Sequence, residues 1–250
     1  MKGLRSRVVF LLMVFVLAVT PFSAVSYGEE ELTRDEKILA LGTPPDSLSR
    51  MDDFNKNYIA NLYDETQGKA RYAGKVDSIG TMSSSDIEIN AYESDDGSDS
   101  SYKYVKITMT GNAYGSIGTN IYGKALGLGL AWSDNWSYDS SETVAHWKHK
   151  NFWGSVIDEY EWGIIDAYTP KVGITFKYED LHSNSYSLAM NGWVRLKISK
   201  TSTGTTDFSA KFGYTEESVA WSATISYPPS ITFSPSTKIY QRSFPGNFKY

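Results

Sequence analysis

The stretch Tyr122–Trp132, YGKALGLGLAW, constrains the fold of this chain more than any other. Side chains of a strand alternate sides, so Leu126, Leu128, Leu130 and Trp132 fall on one face. Gly127, Gly129 and Ala131 fall on the other. One face offers bulk to a core. The other is nearly bare backbone, which lets a second sheet, an aromatic ring or a ligand approach closely. The stretch reads as a central strand of a packed sheet.

Later segments repeat the two-residue period. Val105, Ile107 and Met109 alternate with Lys106, Thr108 and Thr110. Val172, Ile174, Phe176 and Tyr178 alternate with Lys171, Gly173, Thr175 and Lys177. Met190, Gly192, Val194, Leu196 and Ile198 alternate with Asn191, Trp193, Arg195, Lys197 and Ser199, and Val219 to Tyr227 behaves alike. Each reads as a strand with one buried and one wet face. Turn signals at Ser183-Asn184, Thr203-Gly204 and Pro228-Pro229 separate them, and no helical pattern lies between. The expected fold is therefore mainly β: an antiparallel two-sheet β-sandwich, jelly-roll-like, with a barrel as the second choice.

A short helical segment is expected ahead of the β domain. Thr33-Arg34-Asp35-Glu36 has the form of a capping box, Gly42 is placed to end that helix, and Pro44-Pro45 stops its continuation. A second helix is expected from about Asp46 to Glu65, with Leu48, Met51, Phe54, Tyr58 and Leu62 forming one stripe. Further upstream, Lys2, Arg5 and Arg7 precede the 12-residue apolar run Val8–Val19, followed by Pro21 and small residues at 23–26. This is the pattern of a secretory signal peptide, and the run is short of the roughly 20 residues that a spanning helix needs. The expected organisation is a signal peptide at 1–26, a helical segment at 27–67 and an antiparallel β domain at 68–250.

Export has consequences for charge and redox chemistry. Loss of the three signal-peptide cations takes the formal net charge from −5 to −8, which argues against nucleic acid or anionic lipid as the main partner. The chain has no cysteine, so its core must hold it without disulfides. That composition suits a secreted bacterial protein.

Catalytic signals are thin. There is no cysteine nucleophile and no G-x-S-x-G elbow. His146 and His149 lack the glutamate of a zinc-protease motif, Trp147 standing in its place. Glu159 and Glu161 share a strand face at a spacing near that of glycosidase pairs, but such pairs usually come from different strands. Asp95, Asp96 and Asp99 surround Gly97 in ESDDGSDSS, which reads as a polar loop loosely like a calcium site, without the later bidentate carboxylate of an EF-hand. Aromatic residues make up 14% of the chain. Flat exposed rings stack on sugars and anchor protein contacts. Trp136 and Trp153, in SDNWSYDSS and NFWGS, read as the best exposed ligand-binding candidates.

The stretches LTRDEKILALG, PPDSLSRMDDFNKNYIANLYDE and LAWSDNW resemble uncharacterised secreted β-rich proteins of Gram-positive, Bacillus-like bacteria. The resemblance implies an exported protein with a helical opening before a β domain, and no activity or site residues. The leading functional expectation is a non-enzymatic extracellular or cell-envelope binding module. Its partner would be a glycan, a cell-wall component or another protein. A glycoside hydrolase-like carbohydrate-active enzyme is the second reading and a β-pore-forming toxin the third. The toxin reading would need a Ser/Thr-alternating hairpin with a short apolar tip, for which Thr201–Thr206 is too short.

Overall fold

Long antiparallel strands account for most of the structure, a computed structural model that describes residues 31–74, 87–114, 125–133, 136–139, 144–150, 156–160, 164–179, 187–215, 221–234 and 239–250. The expected signal peptide, Trp153 and Glu161 lie outside the described residues. No described helix is long and apolar enough to cross a membrane. Residues 33–250 form one unit.

Among the described residues three helices lead in: α1 (Arg34–Ala40), α2 (Pro45–Arg50) and α3 (Asp53–Thr66). The capping box at α1 is present. Thr33 Oγ1 accepts from the Glu36 amide, and the Glu36 carboxylate accepts from the Thr33 amide at 2.8 Å. Gly42 closes the turn with φ of +90°, a conformation that costs glycine nothing. The expected single helix over 46–65 is corrected to two, α2 and α3, because Asp52 is extended and caps α3 by accepting from the Phe54 amide at 2.8 Å. Ile38, Leu41, Leu48, Met51, Ile59 and Leu62 then form a small core with Tyr92 from the sheet.

The larger sheet has the order β1 (Arg71–Tyr72), β2 (Ile87–Ser98), β3 (Tyr102–Tyr114), β10 (Ser187–Ser199), β6 (Val144–Lys150), β7 (Val156–Tyr160), and β5 (Ser137–Tyr138) also pairs with β10. The second sheet has the order β14 (Ile239–Lys249), β11 (Thr205–Thr215), β4 (Ala125–Trp132), β9 (Gly173–Glu179), β8 (Ile164–Thr169). A separate hairpin pairs β12 (Ser222–Ser226) with β13 (Ser230–Ser234). All these pairings are antiparallel. Ile89, Ile107, Met109, Met190 and Val194 of the first sheet meet Leu126, Leu128, Leu130, Phe176 and Phe212 of the second in one hydrophobic core. The leucine face of β4 is thus the core face that its alternation predicts.

The glycine face of β4 is covered as well, and all eight residues of β4 are buried. The β12–β13 hairpin lies over it. A Cβ on Gly127 would stand 2.5 Å from a Trp221 ring carbon, and one on Gly129 would stand 2.8 Å from Ile231 Cδ1. Gly127→Val should therefore lower the melting temperature by roughly 5 °C through overpacking, with a change in tryptophan fluorescence as Trp221 is displaced. An unchanged melting curve would mean that the hairpin does not rest on this face.

The first sheet departs from the expected wet outer face. Asn90, Thr110, Asn112, Ser187 and Asn191 point away from the shared core yet are buried, because α2 and α3 cover them. The seam is polar. Asn55 of α3 donates to the Gly111 carbonyl at 3.1 Å and accepts from Asn191 at 3.1 Å. Asn112 donates to the Arg50 carbonyl at 2.9 Å, and Glu88 is held between Arg50 at 3.1 Å and Arg242 at 3.0 Å. The outer face therefore meets the helices through hydrogen bonds and ion pairs beside the apolar cluster around Tyr92.

Candidate binding surface

Where α3 ends, the outer face of β3 and β10 emerges from under the helices. Antiparallel register sets Tyr104 opposite Lys197 and Lys106 opposite Arg195. Alternation puts Tyr102, Tyr104 and Lys106 on the same outer face as Trp193, Arg195 and Lys197. Diagonal neighbours on a sheet are within reach of long side chains. The Lys106 ammonium lies 4.5 Å from the Trp193 ring centre, the Arg195 guanidinium 4.1 Å from that of Tyr104, and the Lys197 ammonium 5.6 Å from that of Tyr102. Tyr58 of α3 stacks on Trp193 with centroids 6.4 Å apart and planes at 17°. The result is a ladder of alternating rings and cations, each contact favoured by the negative ring face.

Acidic residues at the hairpin between β2 and β3 fix one end of this ladder. Arg195 is ion-paired with Asp96 and, at 3.5 Å, with Asp139. Asp99 accepts from the Tyr104 hydroxyl at 2.6 Å and from the Ser101 and Tyr102 amides at 2.6 and 2.7 Å. The Tyr104 hydrogen bond, then those amides, holds its carboxyl down at about 2. The same bond raises the Tyr104 phenol above its ordinary value. Asp99 is thus a carboxylate throughout the physiological range.

Beside the ladder a groove of about 860 Å³ opens between the end of α3, the far half of β2 and the last residues of β14. Lys69, Lys103, Lys106 and Lys249 line it, and among the described residues none of them has a carboxylate within ion-pair distance. Four acidic residues line the groove as well: Glu93 pairs with Arg71 at 2.7 Å and Asp96 with Arg195, and Glu65 and Asp95 add two further carboxylates. Burial, opposed by Arg71, raises the Glu93 carboxyl above its ordinary value. Lys103 rests 5.5 Å from the Tyr250 ring centre.

The residues singled out in the sequence fare differently. Trp136 is fully buried, which corrects the expectation that it is exposed. Its indole donates to Thr206 Oγ1 at 2.8 Å, and its ring meets Phe248 and Tyr250 edge-on at 5.3 and 5.0 Å. The polar residues around it in sequence surround a core tryptophan. The expected loop at Glu93–Ser101 is mostly strand, β2 running to Ser98 with a register shift between Asp95 and Ser98. Asp95, Asp96 and Asp99 do not converge: Asp95 accepts from the Gly97 amide at 2.9 Å, Asp96 faces Arg195, and Asp99 caps the turn. Among the described residues no group of three His, Cys, Asp or Glu is placed to hold a metal ion. The ladder itself was missed. Its signal, cations and rings alternating on wet faces, is present in both strands, but only the fold pairs β3 with β10.

No protein-family model matches the chain, and no curated protein matches it. Among solved structures it is similar to the collagen-binding domain from a Staphylococcus aureus adhesin, at 10% identity and a TM-score of 0.31, over 56% of this chain and 86% of that one. It is similar to the collagen-binding subdomain of the Enterococcus faecalis surface protein ACE, at 8% identity and a TM-score of 0.31, over 58% and 88%. It is also similar to the pilus backbone RrgB from Streptococcus pneumoniae, at 3% identity and a TM-score of 0.35, over 65% and 84%. At these TM-scores the likeness carries no argument about a site or a partner.

Proposed function

We propose that this chain is an exported, non-enzymatic binding module that acts at the cell envelope, with the ladder and its lysine-lined groove as the contact surface. The observation that carries this reading is the set of four lysines around one groove that, among the described residues, have no carboxylate within ion-pair distance, in a chain of net negative charge. Four lysines gathered in a concave site, against the carboxylates of Glu65 and Asp95, leave a cationic excess that favours an anionic ligand. Cations already sit over the rings of Tyr104 and Trp193, so those faces are not open for a sugar to stack on. A phosphate- or carboxylate-bearing envelope polymer suits the groove better than a neutral glycan.

The test is co-sedimentation with purified bacterial cell wall, beside a glycan array that includes neutral and acidic sugars. Binding to cell wall should weaken about tenfold when Lys103, Lys106 and Lys249 are changed together to Ala, and should fall with added salt. Lys103 and Lys106 give up only their contacts with the Tyr250 and Trp193 rings, about 1 kcal/mol or less each, so the melting temperature should fall by no more than a few degrees. Binding that ignores both salt and the lysines would remove this surface from consideration.

A further inference from the structure

We infer that the seam between α3 and the first sheet is a binding site for buried water, centred on Thr110 and bounded by Asn90 and Asn191. This goes beyond the binding surface proposed above and stands whether or not that surface takes a ligand.

Antiparallel register places the three residues in one row across three strands. Asn90 of β2 is opposite Thr110 of β3, and Thr110 is opposite Asn191 of β10. All three share the outer face, because Ile89, Met109 and Met190 beside them point into the shared core. They are 0%, 1% and 0% exposed. Asn55 of α3 lies over the row and reaches both Asn191 and the side chain of Asn112 in the neighbouring row.

Four polar atoms of this row are buried without a hydrogen-bond partner among the described residues: both amide atoms of Asn90, the Thr110 hydroxyl and Asn191 Oδ1. The seam around them is well supplied. Asn191 Nδ2 donates to Asn55 at 3.1 Å, so its Oδ1 is the atom left over. Asn112 accepts from the Asp52 amide at 3.2 Å and donates to the Arg50 carbonyl at 2.9 Å. The unmet capacity is thus concentrated in one row. Left dry, it would consume a large share of the stability of an ordinary domain.

The row cannot satisfy itself. Opposed side chains on a sheet start about 5 Å apart at Cβ, and none of these four atoms bonds to another. The occupant must be small, must donate to two amide oxygens and must accept from a hydroxyl. Water does all of this. One molecule over Thr110 accepts from its hydroxyl and donates to Asn90 Oδ1 and Asn191 Oδ1, which is about the usual number of bonds for a buried water. A second accepts from Asn90 Nδ2. Charge favours this neutral occupant over a cation. Glu88 is already held between Arg50 and Arg242, and Asp52 accepts from the Phe54 amide and the Ser187 hydroxyl at 2.8 and 3.3 Å. A cation in the row would meet only neutral oxygens. The water also sets the height at which α3 crosses the sheet. Tyr58, one turn along α3 from Asn55, stacks on Trp193, which follows Asn191 on the same face of β10.

Thr110→Val tests the occupant by the sign of its effect. In a dry row, valine replaces an unsatisfied hydroxyl with a methyl group of similar shape, and the melting temperature rises. In a hydrated row it strips the water of a donor, and the melting temperature falls. The expected result, by scanning calorimetry of the full chain, is a fall of about 3 °C. The second measurement needs no variant. In the isotopically labelled parent chain, magnetisation should pass from water to the Asn90 side-chain amide protons, with the sign of a contact that outlasts molecular tumbling. A melting temperature that Thr110→Val leaves unchanged or raises would overturn the proposal, as would the absence of that transfer. So would a parent that melts several degrees higher in one of sodium and potassium chloride than in the other at equal concentration, a difference abolished by Thr110→Val, because it would assign the row to a metal cation.

Discussion

Trp136→Ala should cost about 3–5 kcal/mol of stability, because it empties a fully buried tryptophan site. For a domain of this size that is a fall of roughly 10 °C in melting temperature. The side chain sits where β5, β11 and β14 meet. It donates to Thr206, packs edge-on against Phe248 and Tyr250, and its own carbonyl accepts the indole N–H of Trp132 at 3.0 Å. Trp136→Phe, which keeps most of the ring volume, should lose clearly less. Differential scanning calorimetry of both variants checks this. A Trp136→Ala protein that melts like the parent while losing a ligand would restore the residue as an exposed binding group and refute its place in the core. The expected result also cautions against reading lost binding in that variant as loss of a contact.

Glu88→Ala should be comparably damaging, by about 3–5 kcal/mol. Its carboxylate is 2% exposed and lies between Arg50 of α2 and Arg242 of β14. One buried anion thus ties the helical segment, the first sheet and the second sheet together. Arg242 Nη1 also donates to the Ile87 carbonyl at 2.7 Å, so it stays anchored beside the vacated anion site. Removing the carboxylate leaves the Arg242 cation, only 18% exposed, without its counter-charge. Arg50→Ala removes a side chain that is 42% exposed, and should cost about 1 kcal/mol or less. Denaturant unfolding of the two variants separates them. Equal and small losses would show that the seam under α2 is solvated and that the helices are held by the apolar cluster of Ile38, Leu48, Ile59 and Tyr92 alone.

The same seam shows why alternation could be read and burial could not. In β10, Met190, Val194 and Leu196 occupy the core face their spacing predicts, but Asn191 on the opposite face is equally buried. Alternation reports which residues share a face. It cannot report that a helix residue 136 positions upstream will cover the other face, because Asn55 and Asn191 look like ordinary polar residues until the fold brings them to 3.1 Å. Polar residues alternating with apolar ones imply water only when nothing else supplies the hydrogen bonds.

Trp136 and the ladder fail in opposite directions for one reason. A tryptophan flanked by Ser, Asp and Asn looked exposed, and it is core because Thr206, 70 residues away, supplies its acceptor. Tyr104 and Arg195 lie far apart in the chain, and register sets them in contact. Local sequence determined the strand and helix periods, the capping box at Thr33–Glu36, the stop at Gly42 and the two-faced character of β4. Those depend on spacing and on backbone conformations that a few neighbouring residues dictate. Tertiary structure alone decided which strands are neighbours, that the glycine face of β4 receives Trp221 and Ile231, and that the acidic hairpin binds Arg195. Those outcomes depend on contacts between residues far apart in the chain, whose energy exists only once the sheets have assembled.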